Sequence, residues 1–348
     1  MIQLDKFQID SINDIKDLNN VLVVAPTGSG KTLIAEKSVE YYIQNNKRII
    51  YTTPIKALSN QKYNDFKNQN IDVGLLTGDR SINQDANLII ATTEILRNMI
   101  FSNDSRLANT GLIILDEVHY LGDKERGTTW EEIFIHAPIN IKFLCLSATI
   151  KNRNEFLEWI VSLRGPTSLI ISENRPVPLE ISLVASNKVT KKLSIIKSTK
   201  NKKNNPIFRF SKQNNNYSNP QGHQIIKYLD DMNLLPSILF YFSREKVESK
   251  ARQLANSSSV THFKIKIKEK FDSVFSDLEN EEYTLLNLDE HLWMWSRGVG
   301  FHHAGLAPIV KEFVEYLFLN KYISYLYATE TLALGINMPA KSIILERL

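Results

Sequence analysis

The sequence predicts an α/β fold built of two tandem units, each a parallel sheet flanked by helices, joined by a polar segment. Three observations carry this expectation. Short β-branched runs alternate with amphipathic stretches of helical length. The runs are apolar nearly throughout, as strands buried on both faces must be. The alternation stops across one basic, Asn-rich stretch and then resumes, and 348 residues are enough for two cores.

Each element follows in order. "VLVVA" is the first strand, and "TLIAEKSVEYYIQNN" is a helix, with Ala35, Val39, Tyr42 and Ile43 at helical spacing and Asn at its end. "RIIYTT", "NLIIAT", "GLIILDE" and "KFLCLSAT" are the further strands of the first unit. From Ser186 to Gly222 come nine basic residues (Lys188, Lys191, Lys192, Lys197, Lys200, Lys202, Lys203, Arg209 and Lys212) with no Asp or Glu. Such a run reads as a solvated linker; an auxiliary arm for phosphate backbones is the alternative. "SILFYFS", "GVGFHHAG", "YISYLYATE" and "SIILE" then supply a second set of strands, separated by "REKVESKARQLA" and "APIVKEFVEYLFLN". The expected boundaries are residues 1–180, a linker over 181–222, and 223–348.

Bulk properties exclude several classes. No apolar run approaches the roughly 20 residues of a membrane span. "MIQLDKFQID" lacks the basic and apolar blocks of a secretory leader. A single cysteine, Cys145, leaves no intrachain disulfide and no Cys-rich zinc site. A soluble intracellular setting, bacterial cytoplasm or organellar stroma, is the expectation. The adjacent His302 and His303 do not read as metal ligands, because neighbours on a strand face opposite ways.

Two motifs carry chemistry. "APTGSGKT" (Ala25–Thr32) follows a strand and opens a helix, the context a phosphate-binding loop needs. Gly28 and Gly30 let the backbone turn its N–H groups inward, with Pro26, Thr27 and Ser29 completing the loop. Lys31 would reach the terminal phosphates and Thr32 would hold magnesium. A plain βα turn, the alternative, would not require Lys and Thr after the glycines. "GLIILDE" places Asp116 and Glu117 at a strand's carboxyl end, where ligands gather in open α/β sheets. Asp116 would bind magnesium, and Glu117 would serve as general base toward water.

"APTGSGKT", "TTPIKALSNQKY", "LLTGD", "ATTEILRNM", "DEVH" and "LSAT" stand in the order of the superfamily-two helicase motifs. The chain resembles the superkiller-type (Ski-like) DExH-box RNA helicases. "PIKALSNQKYNDF", "KERGTTWEE" and "NRPVPLE" are the more specific stretches, and "ILFYFSREKVE", "RGVGFHHAGLAP" and "YATETLALGINMPA" resemble the group's second-domain motifs. The resemblance covers about Leu4 to Leu348, most weakly in the linker. It implies two tandem RecA-like P-loop NTPase domains, with ATP and Mg2+ as ligands.

By the same resemblance, Gln8 reads adenine, and Gly335 and Asn337 face ATP on domain closure. Pro54, Lys56, Ala57, Gly78, Thr92, Thr93, Arg97, Ser243, Thr329 and Glu330 contact the RNA backbone; for Thr92 and Thr93 helix capping is the alternative. Arg244 is open between backbone contact and solvent. His119, Ser147, Ala148 and Thr149 couple hydrolysis to closure. Relatives continue to a motif whose arginines reach the γ-phosphate and then to further domains, so the second domain is expected to be truncated at its C-terminus.

The function implied is ATP-dependent 3′-to-5′ translocation on, and unwinding of, RNA. The partner is single-stranded RNA or a duplex with a single-stranded tail, in the setting of an RNA-degradation complex and with no membrane. A DNA repair helicase of the same superfamily and, for this chain alone, a non-hydrolysing RNA clamp are the alternatives.

Overall fold

The computed structural model describes residues 4–122, 127–148, 150–198, 206–207, 216–257, 263–332 and 338–346. The chain divides into two compact units, Met1–Pro178 and Leu179–Leu348.

The first unit opens with α1 (Lys6–Lys16), β1 (Asn20–Val24), α2 (Lys31–Gln44), β2 (Arg48–Thr53) and α3 (Lys56–Asn68). It continues through β3 (Val73–Leu76), β4 (Ser81–Ile82), β5 (Leu88–Thr92), α4 (Thr93–Phe101), β6 (Thr110–Leu115), α5 (Gly127–His136), β7 (Lys142–Ser147), α6 (Arg153–Arg164) and β8 (Thr167–Ile171). These strands form one sheet in the order β4-β3-β5-β2-β6-β7-β1-β8, in which only the short β4 runs antiparallel. The five strands read from apolar runs are β1, β2, β5, β6 and β7. The sheet adds β3, β4 and β8, which are short or flank the buried centre and so carry weaker patterns.

Alternation along the strands sends side chains to two cores. Val21, Val23, Ile49, Tyr51, Ile90 and Ile114 pack with α1, α2 and α3 through Ile15, Ile34, Val39 and Phe66. Leu22, Val24, Ile50, Ile89, Ile113 and Phe143 pack with α4, α5 and α6 through Leu96, Trp130, Phe134, Phe156 and Ile160. Cys145 is buried in this second core.

The second unit begins differently from expectation. Over 181–222 a linker was expected. There, β9 (Ser182–Asn187) and β10 (Leu193–Lys197) form an antiparallel pair, with β11 (Tyr217–Ser218) on the other side of β9. "SLVAS" and "LSIIK" are short apolar runs in mostly half-exposed strands, and the surrounding lysines mask them in composition. Lys197 is exposed and paired with Glu180 at 2.8 Å. Lys200, Lys202, Lys203, Arg209 and Lys212, also in the expected basic arm, lie outside the described residues.

The unit continues with α7 (Gly222–Asp231), β12 (Ser237–Phe240), α8 (Arg244–Ser257), α9 (Lys264–Phe275), α10 (Asn280–Leu285), α11 (Leu288–Trp295) and β13 (Val299–His302), then α12 (Pro308–Leu319), β14 (Tyr325–Ala328) and β15 (Ser342–Leu345). The four strands pair in parallel in the order β13-β14-β12-β15. One face packs on α9, α11 and α12 through Phe271, Trp295 and Phe313, and the other on α7 and α8 through Leu229, Val247 and Ala251. Helices α9 to α11 were not read from the sequence; Ile267, Phe271 and Phe275 mark the buried face of α9 at helical spacing.

The bottom of the first sheet is closed by polar groups. Arg164 is 6% exposed at the end of α6. Its guanidinium donates to the carbonyls of Ala137 and Pro138 at 2.7 Å each and Ile141 at 3.0 Å, and lies 4.7 Å over the Phe143 ring. Asn20 donates to the Arg164 and Pro166 carbonyls and accepts from the Phe143 N–H. An ammonium offers no planar fork with which to reach several carbonyls at once. Arg164→Lys should therefore destabilise the first unit by about 2 kcal/mol through unsatisfied buried carbonyls. Urea unfolding checks this, and an unchanged midpoint would show that the charge alone suffices.

Candidate nucleotide site

All the first unit's motifs lie at the carboxyl edge of its sheet. The loop after β1, Asp116–Glu117 after β6 and Ser147–Ala148 after β7 follow neighbouring parallel strands. The order β6-β7-β1 brings them together although more than 80 residues separate Lys31 from Asp116.

The loop is built as an anion cradle. Gly28 and Gly30 have φ of 81° and 87°, where a side chain is strained. A Cβ on Gly28 would meet open space, whereas one on Gly30 would lie 2.5 Å from Gln8 Nε2. The Ser29 hydroxyl is buried and has no hydrogen-bond partner. An open, positive-φ turn with an orphaned hydroxyl at a helix N-terminus fits a bound phosphate. Lys31 is 8% exposed and turns back to donate to the Ala25 carbonyl at 2.8 Å and the Pro26 carbonyl at 3.1 Å. Burial lowers its pKa, against the pull of Glu117 and Asp116. Thr27 is exposed and Thr32 half-buried.

Asp116 and Glu117 differ in their surroundings. The Tyr51 hydroxyl donates to Asp116 Oδ2 at 2.6 Å, and the Glu117 N–H donates to Oδ1 at 2.9 Å. Tyr51 is wholly buried on β2, and burial together with Asp116 raises its pKa well above normal, so it stays a donor. Glu117 has a left-handed backbone, φ 54°. Burial, then the charge of Asp116, pushes its carboxyl up to about 7, with Lys31 and Lys62 opposing. His119 Nδ1 accepts from the Ala148 N–H at 3.5 Å and lies 3.3 Å from Glu117 Oε2. Two acceptors attract only when one of them carries a proton, which fits a carboxyl titrating near 7. His119 thus bridges the end of β6 to the end of β7. Ser147 is buried, and its carbonyl receives the Ala25 N–H at 3.1 Å. Thr149 lies outside the described residues.

Gln8 is 5% exposed and already engaged. Its Oε1 accepts from the Asp5 N–H at 2.8 Å and its Nε2 donates to the Gly30 carbonyl at 3.1 Å. One donor and one acceptor position remain for a base. In this arrangement Gln8 ties α1 to the phosphate loop. A cavity of about 780 Å³ lies beside it, lined by Asp5, Phe7, Asp10, Ser29, Leu169 to Ser172, and Arg175 among others.

The comparisons with known proteins agree with this geometry. Residues 5–156 match the DEAD/DEAH box helicase family. The chain carries a DEAD/DEAH box helicase domain. Over 98% of its length it is 35% identical to the DExH-box ATP-dependent RNA helicase DExH9 of Arabidopsis thaliana and 36% identical to the exosome RNA helicase MTR4 of Homo sapiens. Over 99% it is 37% identical to the uncharacterized helicase C17H9.02 of Schizosaccharomyces pombe. It spans 37%, 34% and 35% of those relatives' lengths, respectively. The resemblance to the superkiller-type helicases thus holds through both units, and the helicase family implies nucleotide use.

The helicase domain's other expected contacts are more mixed. Lys56 pairs with Asp79 at 3.1 Å, both exposed, joining the loops after β2 and β3 around Gly78. A Cβ on Gly78 would meet only Lys56, at ordinary contact distance. Ala57 is half-buried and Pro54 buried. Thr92 caps α4 without a side-chain bond, and the buried Thr93 hydroxyl donates to the Thr53 carbonyl at 3.2 Å. Arg97, expected to meet RNA, forms an ion pair with Glu132 of α5 at 2.5 Å and lies over the Phe101 ring. In the second unit Ser243 accepts from the Lys246 N–H, Thr329 is 9% exposed, and Glu330 and Arg244 are exposed. All four follow β12 or β14 at that sheet's carboxyl edge. His302 and His303 pair with Glu315 and Glu248 at 2.7 and 3.0 Å, and among the described residues no cluster of three or more His, Cys, Asp or Glu could hold a metal. Gly335 and Asn337 lie outside the described residues, and no described helix is long and apolar enough to cross a membrane.

Sequence reasoning missed Tyr51 and Lys62. A tyrosine inside the otherwise aliphatic and Thr-rich run "RIIYTT" is the one local signal, since its buried hydroxyl needs a partner.

The raised Glu117 carboxyl makes a stability prediction. Because its folded pKa of about 7 exceeds its ordinary 4.5, ionisation costs the folded state nothing below pH 4.5 and the full amount above pH 7. Glu117→Gln should therefore stabilise the chain at pH 8, by at most about 3 kcal/mol. The gain should shrink toward pH 5. Thermal melts at the two pH values check this; an equal shift at both would contradict the raised carboxyl.

Proposed function

We propose that the chain is the motor core of an ATP-dependent RNA helicase, coupling hydrolysis to translocation on and unwinding of RNA in RNA processing or decay. The observation that carries this is the pairing of an open phosphate loop with two unlike carboxylates. Asp116 is fixed by Tyr51 in an ion-binding posture, while the buried Glu117 titrates near 7, as a general base working at neutral pH should.

In this reading the loop N–H groups and Lys31 hold the phosphates of ATP. Thr32 and Asp116 would hold Mg2+, whose charge would offset that building on the phosphates. Glu117 takes the proton of the attacking water. His119 carries the state of Glu117 to Ala148, the residue after β7. RNA is the favoured strand because the relatives named for an activity over this length are RNA helicases. Contacts from loops at the carboxyl edges would fall on phosphate and sugar, giving little sequence preference. An RNA-degradation complex is the fitting partner.

Glu117→Gln should retain ATP and RNA binding and lose roughly 10²- to 10⁴-fold in RNA-stimulated phosphate release. Lys31→Ala should instead lose ATP binding itself. Competition between RNA and DNA strands of one sequence, read by stimulated phosphate release, tests the substrate: stronger stimulation by DNA would favour a repair helicase.

A further inference from the structure

Helix α3 carries two lysines at different sites. Lys56, in its first turn, is at the loops after β2 and β3, paired with Asp79. Lys62 is six residues on, about 9 Å along the axis, and its Nζ donates to Thr32 Oγ1 at 3.3 Å. That hydroxyl is the one the phosphate loop would offer to a divalent ion. Lys31, the loop's own lysine, does not serve there; it is turned onto the Ala25 and Pro26 carbonyls. Lys62 is half-buried, and its charge also acts on Glu117 and on the half-buried Asp65 one turn further along α3. The cation at the mouth of the phosphate loop therefore comes from a different element than the loop.

We propose that Lys62 is the resident counter-cation of the nucleotide site, held at Thr32 when no divalent ion is there and competing with that ion for the same hydroxyl. The inference rests on the nucleotide reading above. Without a metal, Lys62 supplies positive charge to the nucleotide phosphates. With a metal, it is driven from Thr32, because a dication and an ammonium on the same hydroxyl oxygen repel one another. Lys62 thus tunes how far nucleotide binding depends on the divalent ion.

The test is equilibrium binding of fluorescently labelled ADP, in EDTA and across a MgCl2 titration, to the wild-type chain, Lys62→Met and Lys62→Arg. Losing one charge-assisted contact should weaken binding of Lys62→Met about tenfold in EDTA. At saturating MgCl2 it should remain within about twofold of wild type, and the half-saturating MgCl2 should fall severalfold, because a competitor has gone. Lys62→Arg, which keeps the charge, should restore the EDTA affinity. Equal weakening of Lys62→Met in EDTA and in MgCl2 would make Lys62 a structural tie between α2 and α3 and overturn the proposal. So would unchanged binding in both conditions, or a loss in EDTA that Arg does not reverse. Wild-type chain that binds no labelled ADP in MgCl2 would overturn the nucleotide reading together with it.

Discussion

Parallel pairing constrains everything else in each unit. A strand that returns parallel to its neighbour must cross over through a connection long enough for a helix, and right-handed crossovers lay those helices on the sheet faces. Every strand of the main sheets except β4 obeys this. All their carboxyl ends therefore share one edge. That one consequence collects Lys31, Asp116, Glu117, His119 and Ala148 from three segments of the chain. It also sets Ser243, Arg244, Thr329 and Glu330 along the corresponding edge of the second sheet. No residue of the site needs a long loop to reach it, and the two cores beneath hold the edge stiff.

Within the edge, the division of labour follows from burial. Asp116 receives two hydrogen bonds, from Tyr51 and from the Glu117 backbone, which fix the direction of its two carboxylate oxygens. Glu117 receives none at Oε2 and sits beside a like charge, which disfavours its charged form. Two adjacent acids thereby stand in different surroundings, one held by two donors and the other set beside a like charge.

That difference explains what the sequence could and could not disclose. The phosphate loop and the acidic pair were legible because their chemistry is local: glycines for positive φ, Lys and Thr at fixed spacing, two acids at a strand end. The central strands were legible because burial on both faces demands continuous apolar runs. What escaped was set by tertiary pairing. Tyr51 matters because β2 neighbours β6, and Lys62 because α3 passes the first turn of α2. Neither adjacency has a sequence period. The Arg97–Glu132 pair escaped for the same reason, since only the packing of α4 on α5 sets the two together. The hairpin of β9 and β10 was hidden by composition, since the lysines of its turn and at the end of β10 resemble those of a linker.

The site is also where the fold gives up stability. Glu117 holds a left-handed backbone, the Ser29 hydroxyl is buried without a partner, and burial works against the charged forms of Lys31 and Glu117. Each costs free energy in the protein alone. An anion at the loop would meet the demands of both the loop and Lys31. Costs with a shared remedy are spent on binding, because a ligand that relieves them is held by the folded state and not by the unfolded chain. The same orphaned groups scattered over the surface would be errors. Gathered on one edge, at the end of strands buried on both faces, they mark a candidate binding site.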